Sequence, residues 1–308
     1  MDINNLIRNV AKKAPLGRSL DTLVRGVARY AYYKPLLDQQ GIREERMLVI
    51  GTIARSGTHY AMILLSNYLA IINGRHEPVT PAGMNDMFPN NWHINYMSYH
   101  KLPLGPYREK PPRLPHASLK GLNLDEVTRS HSIFQKFFWR HHKVLHLYRN
   151  PLDYSVSLFN YKHKKRPDLP ERCNSPQEVL DIKFENYCDM YLSYIDAAQA
   201  GSFSVLRISY ENLISEPEFW LGAIIEWLGG EVDRDAVCKA VQNSSIRNVK
   251  KAEKTGSEVN PDAVGLHGSF ISSGQVGQWR EYYSESDLTH WRKRFAQRGI
   301  NLDELLSQ

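Results

Sequence analysis

Met47-Leu-Val-Ile-Gly-Thr-Ile-Ala-Arg-Ser-Gly-Thr-His-Tyr60 joins an apolar run to a small-residue turn, and Met62, Leu64, Leu65, Tyr68 and Leu69 follow at helical spacing. The order is strand, tight loop, helix. A helix opened by such a loop gathers unpaired N–H groups and the positive end of its dipole in one place, which suits an anion. Gly57 would let an oxyanion approach the backbone, Ser56 and Thr58 offer hydroxyls, and Arg55 offers charge. From this stretch alone, a helix capped by serine and threonine with no ligand is the plain structural alternative.

Outward from that stretch, Val127–Ser130, Val144–Tyr148 and Ser204–Ile208 read as further strands, and 151–161, 177–199 and 216–228 as helices. Pro151 suits a first helical turn. The alternation predicts an α/β fold, a three-layer α/β/α arrangement around a central, mainly parallel sheet. Residues 73–123 are rich in Pro, Asn, His and aromatics without a sustained period and read as acceptor-site loops and a lid. The glycine- and serine-rich 265–280 region reads as a flap.

Composition sets the class. The 308 residues are 42% apolar, 23% charged and 11% aromatic, an ordinary globular balance that excludes disordered and fibrous classes. No run approaches a membrane span and the first residues lack a secretion signal, so a cytoplasmic location is expected. Three cysteines, Cys173, Cys188 and Cys238, without C-x-x-C spacing indicate neither a disulfide framework nor a zinc site. Residues 1–34 carry seven basic and two acidic side chains of a chain with net charge +6. Leu20, Leu23, Val24, Val27, Ala28 and Ala31 give that segment an amphipathic helical pattern, which either packs on its own domain or docks peripherally on a membrane or partner. The domain division predicted is 1–45, an N-terminal basic helical segment, and 46–308, one domain.

A second motif is Arg149-Asn-Pro-Leu-Asp-Tyr-Ser-Val-Ser157. Arg149 leaves a strand end and Ser157 lies two turns into the following helix, so both can face one anion. Asp153 falls in the first turn, where its carboxylate favours the dipole and can bond free N–H groups. The nucleotide-kinase loop G-x-x-x-x-G-K-[ST] is not met, since Thr52 stands five residues before Gly57 and Thr58 follows it. A strand ending in Arg149 suits a phosphate better than a metal.

Together, Ala54–Tyr60 and Arg149–Ser157 resemble the 5′-phosphosulfate loop and the 3′-phosphate motif of the sulfotransferase family, and Ile208–Leu213 and Gly274–Trp279 are similar in order and context to two further stretches of that family. The resemblance covers about residues 47–283 and implies a P-loop-like sulfotransferase architecture. It implies 3′-phosphoadenosine 5′-phosphosulfate (PAPS) as co-substrate, adenosine 3′,5′-bisphosphate as product, and no metal. Arg55, Ser56, Gly57, Thr58 and His59 would hold the 5′-phosphosulfate and Tyr60 would stack on adenine. Arg149 and Ser157 would bind the 3′-phosphate, Tyr210, Ser244 and Ile246 would border the base, and Ser272, Ser273 and Gly274 would close over the nucleotide. His131 fits the family's general base best, with His100 and His116 as alternates, while Arg55 and Arg129 would face the developing charge.

The chain departs from the better-known cytosolic members at Arg55 and Arg129, where lysine is usual, and at Ser272-Ser273, where a basic pair is expected before glycine. Arginine keeps the charge without a titrating proton. The 3′-phosphate would then draw on Arg247, Lys250 or Lys251. The acceptor is expected to be a small molecule, glycan or lipid bearing a hydroxyl or amine, not a nucleic acid, and oligomeric state is not legible. The rival readings are a nucleotide-dependent kinase and a catalytically silent nucleotide- or membrane-binding protein on the same fold.

Overall fold

A computed structural model describes residues 34–35, 38, 41–79, 83–84, 119–161, 173–255 and 274–308. The basic segment 1–33, most of the 73–123 loop region, with His100 and His116, and the flap up to Ser273 lie outside the described residues. Four strands, β1 (Met47–Thr52), β2 (Glu126–Ser130), β3 (Lys143–Tyr148) and β4 (Ser204–Ser209), form one sheet in the order β2-β1-β3-β4. Every described pairing is parallel.

The predicted helices are present as α1 (Thr58–Ile72), α2 (Pro151–Asn160), α3 (Pro176–Gln199) and, after the short α4 (Tyr210–Ser215), α5 (Pro217–Leu228). Four more, α6 (Arg234–Asn243), α7 (Ile246–Thr255), α8 (Glu285–Gln297) and α9 (Leu302–Leu306), were not anticipated. None of the described helices is long and apolar enough to cross a membrane.

Strand β1 is buried along its whole length, which explains its unbroken apolar run. Its side chains alternate between layers. Leu48 and Ile50 join the core beneath α1, α5 and α6, whereas Met47 and Val49 pack with Phe134, Phe138, Trp139 and Tyr194 on the other face. Gly51 is required by that second layer, since a Cβ there would fall 2.2 Å from the Tyr194 hydroxyl. The free cysteines Cys173 and Cys188 are buried and Cys238 is partly exposed.

Asp153 differs from its expected role. Asn150 is the residue that caps α2, accepting from the Asp153 amide at 2.8 Å. The Asp153 carboxylate, fully buried, instead accepts the amides of Gly277 at 2.6 Å and Trp279 at 2.9 Å. It therefore ties the C-terminal segment to the turn that follows β3. Removing it strands two backbone donors, so Asp153→Ala is expected to cost about 3 kcal/mol in urea denaturation, with Asp153→Asn intermediate because one acceptor oxygen remains.

Two buried histidines add an acid liability. His142 is 1% exposed with neither ring nitrogen hydrogen-bonded among the described residues, and burial drives its pKa down to about 3. His146 lies flat on Tyr194 at 4.0 Å, and burial, then Arg207, hold its pKa well below 6.5. Because the unfolded chain takes up these protons first, their contribution is complete above pH 6.5 and is lost as pH falls toward the folded values. At pH 5 His142 costs about 2 kcal/mol, and His146 adds in the same direction. Thermal melts are expected to drop between pH 7 and pH 5, with a shallower drop in His142→Leu.

Candidate active site

In a parallel sheet the strand ends at the carboxyl edge are the natural place for a ligand, above all where the chain reverses the direction in which strands are added. Here β1 is followed by β2 on one side and β3 on the other, so the crevice lies over the ends of β1 and β3. Both phosphate-type motifs start from these two ends.

Past β1 the backbone makes two left-handed turns, at Arg55 (φ +67°) and at Gly57 (φ +87°). A side chain is costly in that region, so the non-glycine Arg55 marks a loop whose shape is imposed by its surroundings. Gly57 is doubly constrained, because a Cβ would sit 2.5 Å from the Tyr210 ring. It is also the N-cap of α1 and supplies no side-chain cap, which leaves the first-turn amides to other acceptors. Ser56 is fully buried and its hydroxyl has no partner among the described residues. An uncapped helix start beside an unspent buried hydroxyl fits an oxyanion.

Tyr210 opens α4 and forms a wedge between the two motifs. The Arg149 guanidinium lies over its ring at 4.5 Å, Gly57 touches the ring, and its hydroxyl donates to Gly274 O at 3.2 Å. Arg149 is 6% exposed and donates from Nη2 to Gln275 O at 2.8 Å, while its buried Nε makes no hydrogen bond among the described residues. Asp153 and Glu211 stand 3.7 and 3.9 Å from it. Glu211 accepts both Asn150 N and Nδ2, and burial raises its pKa. Arg55 lies over the Tyr161 ring at 4.6 Å, and burial lowers its pKa, with Arg149 acting in the same direction. The two arginines thus share one electrostatic neighbourhood.

Arg129 on β2 extends the cationic edge and donates to His59 Nε2 at 3.4 Å. A guanidinium can only donate, so His59 is neutral with its proton on Nδ1. Burial, then Arg129, Arg55 and His131, hold the His59 pKa down to about 3. His131 follows β2 directly, and its Nδ1 lies 2.9 Å from both the carbonyl and the hydroxyl of Thr52. The carbonyl fixes the proton on Nδ1 and leaves Nε2 as the basic nitrogen. Crowding by protein lowers the His131 pKa below 6.5, Arg129 and Arg55 add to this, and the Thr52 bond opposes it. His131 is nonetheless exposed to solvent, which tempers that desolvation.

The remaining residues divide. Ile246 packs against Gly274, whose missing side chain would fall 2.4 Å from Ile246 Cδ1, so Tyr210, Ile246 and Gly274 form one wall. Tyr60 is half-buried in the α1 core and its hydroxyl pKa is pushed up to about 12 by burial, then by Tyr210. Ser157 is partly exposed on α2. Ser244 is fully buried, donating to Ala240 O at 2.7 Å and accepting from Asn67 at 3.0 Å, so its side chain is spent inside the fold. Arg247, Lys250 and Lys251 are exposed on α7 beside this wall, and Ser272 and Ser273 lie outside the described residues. Thr52, Tyr161 and Gln275 were not anticipated. A threonine closing a buried strand, where a hydroxyl needs a partner, was the one legible signal for the first of them.

With this geometry in hand, the chain can be set beside known proteins. A sulfotransferase domain model matches residues 45–302. Cytosolic sulfotransferase 12 of Arabidopsis thaliana is 25% identical over 222 residues, 67% of this chain but 63% of that relative, so the chain spans a little less than two thirds of its length. Retinol dehydratase in complex with retinol and PAP superposes with a TM-score of 0.58 at 16% identity, covering 82% of this chain and 81% of that one. Mouse sulfotransferase SULT7A1 complexed with PAP gives 0.54 at 18%, covering 85% and 86%. At such identities these two structures speak for the fold, whereas the domain match extends over most of the sequence and includes both cationic turns: the chain belongs to the sulfotransferase domain family.

Proposed function

We propose that the protein transfers a sulfuryl group from PAPS to a hydroxyl or amine of a small acceptor, and that residues 46–308 act as one domain. The observation that carries this reading is the meeting of the Arg55 and Arg149 turns on either side of Tyr210, over the ends of β1 and β3. The PAP held by the two solved relatives is the bisphosphorylated adenosine that such a transfer would leave. Retinol, an alcohol, in one of them favours a small hydroxyl acceptor.

In this reading the amides of 55–59, with Ser56 and Thr58, hold the 5′ end of the donor, and Tyr60 stacks on the base. Arg149 and Ser157 take the 3′-phosphate, Tyr210, Ile246 and the backbone at Ser244 border the base, and Ser272, Ser273 and Gly274 cover it. His131 Nε2 accepts the acceptor's O–H proton while the acceptor oxygen bonds to sulfur. The sulfur–oxygen bond to the 5′-phosphate opens and its electron pair stays on the phosphate, facing Arg55 and Arg129. Neither arginine gives up a proton at working pH, so the departing phosphate is stabilised by charge alone.

Two substitutions test the assignment. His131→Ala is expected to cut turnover by at least ~100-fold with little change in nucleotide affinity, and wild-type turnover should fall as pH drops through a His131 value below 6.5. Unchanged turnover in His131→Ala refutes the base. Arg149→Ala is expected to weaken adenosine 3′,5′-bisphosphate in calorimetry by at least tenfold while leaving adenosine 5′-phosphate nearly unaffected. Equal losses for both nucleotides would remove Arg149 from the 3′ site, and binding without transfer to any acceptor would mark a silent member of the family.

A further inference from the structure

Thr52 ends β1 and Thr58 opens α1, so the strand and the helix that frame the anion loop meet at two hydroxyls. Thr58 Oγ1 donates to Thr52 Oγ1 at 2.8 Å, in a fully buried setting for Thr52 and a nearly buried one for Thr58. Thr52 Oγ1 in turn lies 2.9 Å from His131 Nδ1. Since the carbonyl of Thr52 already requires a proton on that nitrogen, the hydroxyl oxygen accepts from two sides, from His131 and from Thr58. Both of its lone pairs are then used.

Thr58 has a single hydroxyl proton, which can serve Thr52 or an oxyanion in the loop but not both at once. We propose that an oxyanion seated in the 55–59 loop turns both hydroxyls round, making His131 Nδ1–H, Thr52 and Thr58 one chain that donates toward the anion and steadies the protonated base more strongly while the donor is bound. The identity of the anion rests on the sulfotransferase reading above; the reversal needs only a phosphate or sulfate oxygen. Aligned hydroxyl chains polarise one another, so the imidazolium formed when His131 takes a proton keeps Thr52 Oγ1 as its acceptor but meets it more strongly polarised than in the empty site. That gain opposes Arg129 and Arg55, the two cations that face His131, while His59 beside them stays neutral. Thr52 is thus a positioning residue that reports loop occupancy to the base. An empty site would keep a weaker base.

The test uses the full chain labelled with ¹⁵N-histidine, with occupancy by adenosine 3′,5′-bisphosphate fixed by calorimetry. In the wild type the nucleotide is expected to raise the His131 pKa. In the near-isosteric Thr52→Val, which keeps the carbonyl and the Coulomb field of the nucleotide, the rise should be smaller by about 0.5 unit. Thr52→Ser should restore it. In steady state Thr52→Val should lose about tenfold in kcat with donor KM within about twofold, a split expected when the lost interaction belongs to the transition state. Should Thr52→Val misfold, Thr58→Val at saturating nucleotide is expected to give the same shortfall. Equal rises in the wild type and the folded valine variant overturn the relay. A wild type that does not bind the nucleotide sinks the sulfotransferase reading instead, and the same comparison made with inorganic phosphate then decides the relay by itself.

Discussion

Three guanidinium groups, Arg55, Arg129 and Arg149, are drawn to one edge of a single sheet, and like charges gather only where packing leaves them no alternative. The fold meets that constraint with flat rings and buried acceptors rather than with a matching set of carboxylates. Arg149 is laid on Tyr210, Arg55 on Tyr161, and Arg129 is given the neutral His59. A ring face attracts a cation without neutralising it, so the positive potential at the crevice survives. Asp153 and Glu211 stand near Arg149, but each is also occupied with backbone amides, Asp153 with the C-terminal segment and Glu211 with Asn150.

Tyr210 gives this arrangement its geometry. The lack of a side chain at Gly57 and at Gly274 lets the Arg55 loop approach its ring and the C-terminal segment approach Ile246 beside it. The Arg55 loop and the C-terminal segment at Gly274 are therefore brought to this wall by small residues as much as by charged ones. Two residues separated widely in sequence, Gly57 and Gly274, are glycine for the same steric reason, and both adopt left-handed backbone.

Much of this was legible beforehand because it is local. An apolar run, a small-residue turn and an amphipathic helix identify β1, its loop and α1 by spacing alone, and Arg149-Asn-Pro carries its own strand end and helix start. The α8 helix was missed although Ser284 and Asp287 form a capping box and Leu288, Trp291 and Phe295 recur at helical spacing, signals as readable as those used elsewhere. What could not be read is long-range. Asp153 has the sequence position of a cap, yet its carboxylate bonds amides over a hundred residues away, and no local pattern encodes that partner. Ser244 likewise looks available in sequence and is consumed by Asn67 of a different helix. Thr52 was read only as the residue that breaks a kinase pattern, since a hydroxyl's importance there depends on His131, which reaches it from the neighbouring strand.

The central position of β1 has a kinetic side. The strand that launches the Arg55 loop precedes both of its sheet neighbours among the described residues, β2 and β3, which come from segments much further along the chain. Until those arrive, a largely apolar ribbon with two open edges has to wait, and closing such distant contacts is slow. A nascent or clipped chain ending before Tyr148 would leave that ribbon half paired and prone to self-association. Assembly of the crevice over the ends of β1 and β3 is in this sense a late event, completed only once β3 has paired with β1.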